Sequence, residues 1–529
     1  MAKKKDNTTS IGFEETIWRA ADKLRGNLNA AEYEGVVLGL IFLKYISDKF
    51  EAKFEELSQD EYADVEDKDE YEADGVFFVP QDARWSVISL AAHTPEIGKI
   101  IDDALLAIER ENPKLKGVLP GNYARPELDK RRLGDVVDLF SNIKMLAAGE
   151  EKDLLGRVYE YCLQKFASME GKNAGEFYTP SCIVRTIVEI LQPYQGRVYD
   201  PCCGSGGMFV QSMKVIEAHG GNTKAVSVYG QEIQPETYRL AKMNLAVRGI
   251  SHDLGNEPAS TFLNEKHKDK KMDYIITNPP FNLKKWRAED ELTNDPRWAG
   301  YETPPVSNAN YAWILHILNK LNVDTGIAGF LLANGALDDA DTVNIRKKLI
   351  ENDKVEAIIV LPRQMFYTTD ISVTLWILNQ NKKGGEWHGR NLRNREGEVL
   401  FIDLRTWNEN VYEKKYVELK PEQIQAVCDI YHTWQTSVPK GGSYKEGDEW
   451  KSHYAKPELY YAASKDEILE KNSSLVPSRY IEFVDRDTEM DYQAALSQMS
   501  ADFKALNERW KKNKETMLDA FKVLGYEAK

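Results

Sequence analysis

The apolar positions of this 529-residue chain fall into three successive patterns. The first is helical. Phe13, Ile17, Ala20, Ala21 and Leu24 share one helical face, which Arg25-Gly26-Asn27 ends. A second helix starts near Ala30 and is apolar nearly all round from Tyr33 to Phe50, which predicts the buried member of a bundle. Helical spacing resumes over residues 90–139 around a turn at 113–120, so a helical domain is expected over residues 1–150. A helix at 154–166 and another entered through Thr179-Pro180 lead into the second pattern; the latter buries Ile183, Val184, Ile187, Val188 and Leu191. From there, apolar runs of strand length alternate with helices, the mark of a parallel, doubly wound sheet. Strands are expected at 197–200, 225–232, 272–277, 327–333, 355–361 and 374–378, with 399–403 added at an edge. Helices are expected at 207–218, 235–248 and 310–321. This Rossmann-like α/β domain is assigned to residues 151–405 and a mostly helical C-terminal region to 406–529. In the third pattern Tyr492, Leu496, Met499, Phe503, Leu506, Trp510, Asn513, Met517, Ala520 and Leu524 alternate by four and three. That is a coiled-coil seam with one polar residue, Asn513, of the kind that sets register, and it points to a partner helix.

Composition narrows the classes. Apolar runs such as 36–43 fall short of the roughly 20 residues a membrane helix needs. The basic cluster Lys3-Lys4-Lys5 precedes no apolar stretch, so a cytoplasmic protein without a membrane segment is expected. Five scattered cysteines, an odd number without zinc-ligand spacing, fit reduced thiols and no metal. The acidic run 51–74 reads as a solvated face. A net charge of −15 is a poor match for a chain that grips a phosphate backbone unaided. Either the substrate is not nucleic acid, or another subunit supplies the basic surface.

The chemistry-bearing residues lie at expected strand ends. The strand at 272–277 runs into Asn278-Pro279-Pro280-Phe281, where two prolines stop the ladder and stiffen the turn. The Asn278 side-chain oxygen and the Pro279 carbonyl can accept both hydrogens of an exocyclic amine, with Phe281 stacked on the ring that carries it. Held so, the amine directs its lone pair at an electrophile, as N-methylation of adenine requires. The alternative is an ordinary strand stop with a packed Phe. The first strand of the sheet ends in Asp200-Pro201-Cys202-Cys203-Gly204-Ser205-Gly206-Gly207, whose glycines let the backbone approach a nucleotide-like ligand. Phe209 occupies the place of the last small residue of a dinucleotide fingerprint, and no Gly-Lys-Ser/Thr ending of a phosphate loop is present. The second strand ends in Gly230-Gln231-Glu232, a carboxylate where such folds hold ribose hydroxyls. Together these ends describe a pocket for a nucleoside without pyrophosphate, which S-adenosylmethionine fits.

Glu176-Phe177-Tyr178-Thr179-Pro180, the glycine turn at 200–207, Glu232 and Asn278-Pro279-Pro280-Phe281 follow one another as in amino-methylating DNA methyltransferases of the gamma arrangement. With Ala21-Asp22-Lys23-Leu24-Arg25-Gly26 and the run 40–48, the chain resembles the modification subunit of type I restriction-modification systems along most of its length. The resemblance implies transfer of a methyl group from S-adenosylmethionine to the N6 amine of a flipped adenine in duplex DNA. It also implies a separate specificity subunit, usually one for two modification subunits, which would account for the acidity of this chain. By the same resemblance Glu176, Phe177, Tyr178, Thr179, Pro180 and Ser181 close over the methionine end of the cofactor. Asp200, Gly204, Ser205, Gly206 and Gly207 line it and Glu232 binds the ribose; Asn278, Pro279, Pro280 and Phe281 receive the adenine. Phe366 and Tyr367 are candidates for the other face of the base, and Lys284, Lys285 and Arg287 for nearby phosphates. The chain carries no nuclease or helicase signature, so cleavage is expected from a restriction subunit. Two other classes stay open: methyltransferases of protein glutamine, which also carry Asn-Pro-Pro-aromatic, and an assembly scaffold with a dead pocket.

Overall fold

The computed structural model describes residues 18, 22, 30–142, 161–162, 179–366, 371–409, 411–412, 416–437, 444–446, 449–451, 454–484 and 492–523. The expected helices at 13–24 and 154–166 lie almost wholly outside the described residues. The chain divides into two compact units, Met1–Ile481 and Glu482–Lys529.

In the first unit, a ten-stranded sheet contains β1 (Gly196–Asp200), β2 (Val226–Gly230), β3 (His252–Asp253), β4 (Tyr274–Thr277), β5 (Ile327–Ala333), β6 (Val355–Val360) and β7 (Val373–Asn379). Three later strands complete it, and the spatial order is Ala455–Lys456, Tyr460–Ser464, Glu398–Asp403, β6, β7, β5, β4, β1, β2, β3. β7 runs against both neighbours, and Tyr460–Ser464 runs against Glu398–Asp403; β1 to β6 and Glu398–Asp403 share one direction. β5, β6 and β7 are buried along their whole lengths, which is why their sequences are nearly unbroken apolar runs. Helices cover both faces. Ser181–Leu191, Gly207–Ala218, Pro235–Val247 and Pro421–Thr436 pack on one, with Asn310–Lys320 and Val343–Glu351 on the other.

The chain leaves β1 for β2 and β3 on one side and returns to β4 on the other. That reversal opens a crevice at the carboxyl ends of β1 and β4, where open α/β sheets bind ligands.

The N-terminal part is helical as expected. Helix Ala30–Leu57 buries Val36 to Leu43, and Ile97–Glu111 and Lys130–Ser141 pack around it. Its core takes in Met243 of helix Pro235–Val247, which seats the helical domain beside the sheet. Among the described residues no helix is long and apolar enough to cross a membrane.

Two expectations change. The strand near 399–403 is interior, because Tyr460–Ser464 pairs along its outer side. The sheet therefore continues past residue 405, and helix Pro421–Thr436 packs against its face. The two-residue β3 was not expected.

The second unit is dominated by one helix, Tyr492–Val523, whose 32 residues span about 48 Å at 1.5 Å per residue. Its seam residues Leu496, Met499, Phe503, Leu506, Trp510 and Met517 are 52–70 % exposed. Leu524 lies outside the described residues.

Candidate functional site

The ends of β1 and β4 are tied by a carboxyl group. Asp200 Oδ1 accepts from the Thr277 hydroxyl at 2.6 Å and from the Cys202 N–H at 3.0 Å. The Cys202 sulfur lies 3.1 Å from the same hydroxyl. Asp200 is buried and its carboxyl joins the two strand ends instead of lining open space. Burial pushes that carboxyl up to about 7. Burial also pushes the Cys202 and Cys203 thiols well up, so neither is set up as a nucleophile.

The raised carboxyl has a testable consequence. Between about pH 4 and about 7 the folded chain holds a proton that the unfolded chain releases. Stability from this group is therefore lost as pH rises through that window and is constant above it. Asp200→Asn cannot ionise, so it is expected to gain up to about 4 kcal/mol on the wild type from pH 4 to pH 8, read as a growing difference in thermal midpoint. Parallel pH profiles for the two proteins would contradict the assignment.

The turn after β1 is held by the end of β2. The Gly204 N–H donates to Glu232 Oε2 at 3.1 Å, and the Ile233 and Gln234 N–H groups donate to Oε1, each at 2.8 Å. Cys203 N–H donates to the Gln231 carbonyl at 2.9 Å. Gly204 and Gly206 have φ of +54° and +78°, a region glycine enters without a Cβ penalty. A Cβ on Gly206 would lie 3.5 Å from Leu245 and 3.7 Å from Ala241, so its free side faces helix Pro235–Val247 and not the crevice. A valine there tests the fold more than the pocket. A Cβ on Gly207 would meet open space. The Ser205 carbonyl is fixed by Asn244 Nδ2 at 2.7 Å. Burial raises the Glu232 carboxyl, and the next residue, Ile233, is more than half exposed beside it. Gln231, fully buried, fastens the following loop by donating to the Ala259 and Asn264 carbonyls and accepting from the Lys266 N–H.

At the end of β4, Asn278 Nδ2 donates to Thr179 Oγ1 at 3.0 Å, while Asn278 Oδ1 is buried without a hydrogen-bond partner among the described residues. Thr179 and Pro180 lead into helix Ser181–Leu191, so the start of that helix and the Asn-Pro-Pro turn meet; Ser181 is exposed. Glu176, Phe177 and Tyr178 lie outside the described residues. Pro279 is buried, and Pro280 and Phe281 are half-buried. The Phe281 ring meets Phe366 edge to face, with centroids 6.1 Å apart at 86°. Phe366 is itself buried, so it braces Phe281 and does not offer a free face to a base. Tyr367 lies outside the described residues.

The expected phosphate contact at Arg287 is overturned. Its guanidinium donates to the carbonyls of Ala288, Glu289, Glu291 and Pro304 at 2.8–3.0 Å and is buried within its own loop. Lys284 and Lys285 remain exposed.

The turn and β2 end fit S-adenosylmethionine by their chemistry. Residues 200–210 carry no cation to receive a pyrophosphate, Glu232 retains lone pairs for hydroxyls, and Ile233 offers an apolar surface. Sequence reasoning missed Thr277, Gln231 and Asn244, whose roles depend on partners distant in the chain. Position at the end of a strand was the signal available for Thr277.

Known proteins resemble this chain along most of its length. Residues 150–489 match the family model described as N-6 DNA Methylase, and residues 13–140 match that described as HsdM N-terminal domain. The methylase subunit of the type I restriction enzyme HindI from Haemophilus influenzae is 40% identical over 475 residues, covering 84% of this chain and 99% of that protein. The MjaIX methylase subunit from Methanocaldococcus jannaschii is 33% identical over 537 residues, covering 97% and 92%. The solved type I restriction-modification methyltransferase subunit from Streptococcus thermophilus has a TM-score of 0.73 at 22% identity, covering 90% of this chain and 100% of that one, a likeness of fold.

Proposed function

Because this chain belongs to the methylase subunits of type I restriction-modification systems, within the N-6 DNA methylase family, we propose that it methylates the N6 amine of an adenine turned out of duplex DNA. The motif order is the gamma one, with the cofactor turn preceding Asn-Pro-Pro-Phe. The observation that carries the reading is the Asn278 amide: its NH2 end is engaged by Thr179 and its carbonyl oxygen is buried with no donor among the described residues. A buried acceptor is unfavourable until a donor arrives, and the amine of an extruded adenine is such a donor.

S-adenosylmethionine, when bound, supplies an electrophilic methyl group. Glu232 would hold the ribose hydroxyls of the cofactor, and the backbone of Gly204 to Gly207 would line it. Asn278 Oδ1 and the Pro279 carbonyl accept the two amine hydrogens, which orients the nitrogen lone pair toward the methyl. Phe281 stacks on the base, braced from behind by Phe366. No side chain needs to remove a proton before attack, since the amine becomes acidic only as the new bond forms. The chain positions and polarises.

A net charge of −15 makes specific DNA binding by this chain alone weak. A specificity subunit therefore reads the sequence, two methylase subunits assemble on each, and a restriction subunit cleaves. The exposed seam on helix Tyr492–Val523 fits the docking of the specificity subunit. Supplying labelled methyl donor to the assembled complex with duplex DNA and with protein tests the substrate class. Label is expected in DNA; label in a protein glutamine would favour the alternative, whose amide nitrogen suits the same acceptors.

A further inference from the structure

We infer that Asn310, acting with Asn282 and Asn308, is a positioning residue for methyl transfer: a three-amide clamp that holds the turn carrying Asn278 and Phe281 in its working geometry. The inference rests on the methyltransferase reading above.

The chain must reverse immediately after Phe281, and it does so at Asn282, whose φ is +54°. Asparagine tolerates that region better than most residues, but it does not by itself hold the reversal in place. The hold comes from the start of helix Asn310–Lys320. The Asn282 backbone N–H donates to Asn310 Oδ1 at 3.0 Å, and Asn310 Nδ2 donates back to Asn282 Oδ1 at 2.9 Å. Asn308 Nδ2 donates to that same Asn282 oxygen at 3.1 Å, while Asn308 Oδ1 accepts from the Asn310 backbone N–H at 2.9 Å. Backbone N–H groups can only donate, so they fix which end of Asn308 and of Asn310 is the carbonyl. Both NH2 groups must then face Asn282, which fixes its oxygen as the double acceptor. The cluster has one self-consistent arrangement.

Backbone bonds extend the clamp. The Ala309 N–H donates to the Leu283 carbonyl at 2.9 Å and the Lys285 N–H to the Val306 carbonyl at 3.0 Å. Trp286 Nε1 donates to the Pro305 carbonyl at 2.9 Å. Residues 286–305 thus form an excursion closed at its base, and the amide cluster lies at the end of that closure nearest Phe281. None of the three asparagines is needed for the cofactor turn or for Asn278's own bond to Thr179. Loss of the clamp is therefore a loss of geometry at the acceptor base alone.

The pattern gives an asymmetric mutational signature. Asn282 acts through one acceptor oxygen, and its NH2 end takes no part in the cluster. Asn282→Asp keeps that acceptor and tolerates the same backbone region, whereas Asn282→Gly keeps the backbone and removes the acceptor. Asn310→Ala removes an acceptor and a donor together. In the assembled complex with saturating duplex DNA, Asn310→Ala and Asn282→Gly are expected to lower the single-turnover methylation rate by about 30-fold while leaving cofactor affinity within about threefold. Asn282→Asp is expected to stay within about threefold of the wild-type rate, and the double variant Asn282→Gly/Asn310→Ala to be no slower than either single one. Asn282 is exposed, so its variants report even where the buried Asn310 variant does not fold. A wild-type rate in Asn282→Gly, an Asp variant as slow as the Gly variant, or losses that multiply in the double variant would each overturn the clamp. A wild-type complex that fails to methylate DNA would instead overturn the function on which the clamp rests.

Discussion

Replacing Asn278 by alanine is expected to leave S-adenosylmethionine affinity within about threefold of wild type and to lower methyl transfer to DNA by roughly 10² to 10³. The asymmetry follows from where the residue sits. Asn278 follows β4, beyond the glycine turn and Glu232, and among the described residues its side chain bonds to Thr179. Its oxygen meets no donor among the described residues, so an adenine amine bound there would draw its full contribution only with the base in place and the nitrogen oriented. Removing such an oriented acceptor costs on the order of 3–4 kcal/mol at the transition state, which is the stated loss of rate. Isothermal titration reads the cofactor affinity and single-turnover chemistry reads the rate. Cofactor binding abolished in a folded Asn278→Ala protein would mean that the residue serves the cofactor and not the base.

Truncation before Tyr492 is expected to abolish assembly with the specificity subunit while sparing cofactor binding. The terminal helix presents Leu496, Met499, Phe503, Leu506 and Trp510 along one seam, each more than half exposed. A contiguous apolar seam of that length is unfavourable in water and stable when covered by a partner. Phe503→Asp with Leu506→Lys is expected to match the truncation, because each substitution would place a charge in a desolvated helix interface, at a cost of several kcal/mol. Both cofactor-site strand ends and both faces of the sheet belong to residues before Ile481, which is why cofactor binding survives. Size-exclusion chromatography with light scattering on mixed subunits measures the outcome. A truncated chain that still forms the full complex would remove the seam as the docking element and leave the methyltransferase assignment standing.

The parts of the fold that were legible in the sequence were those written in local periodicity. β5 was legible with its observed ends, and β1, β2, β4, β6 and β7 to within a few residues, because strands buried within a sheet are short runs rich in apolar residues between helices and turns. The two-residue β3 is too short to show a period. Glu398–Asp403 was read as an edge because its outer partner, Tyr460–Ser464, comes some 60 residues later and announces itself by no alternation. Arg287 shows the same limit for charge. Beside Lys284 and Lys285 it reads as part of a basic surface, yet four carbonyls, three of them from the next few residues, fold around it. Gly206 was legible as a necessary glycine but not for its reason, which is a backbone φ of +78° at the start of the helix that follows β1. Asn-Pro-Pro-Phe was legible as the turn that ends β4 because it is contiguous. The tie between Asp200 and Thr277 was not, since it joins residues 77 positions apart.

The most direct test of the central claim is the identity of the methylated atom. Duplex DNA treated with the assembled complex and labelled S-adenosylmethionine is digested to nucleosides and separated by chromatography. The expected result is label in N6-methyldeoxyadenosine alone, lost in the Asn278→Ala complex. Label in a methylated cytosine, or undiminished label in the Asn278→Ala complex, would contradict the assignment of Asn278 as the acceptor of the adenine amine.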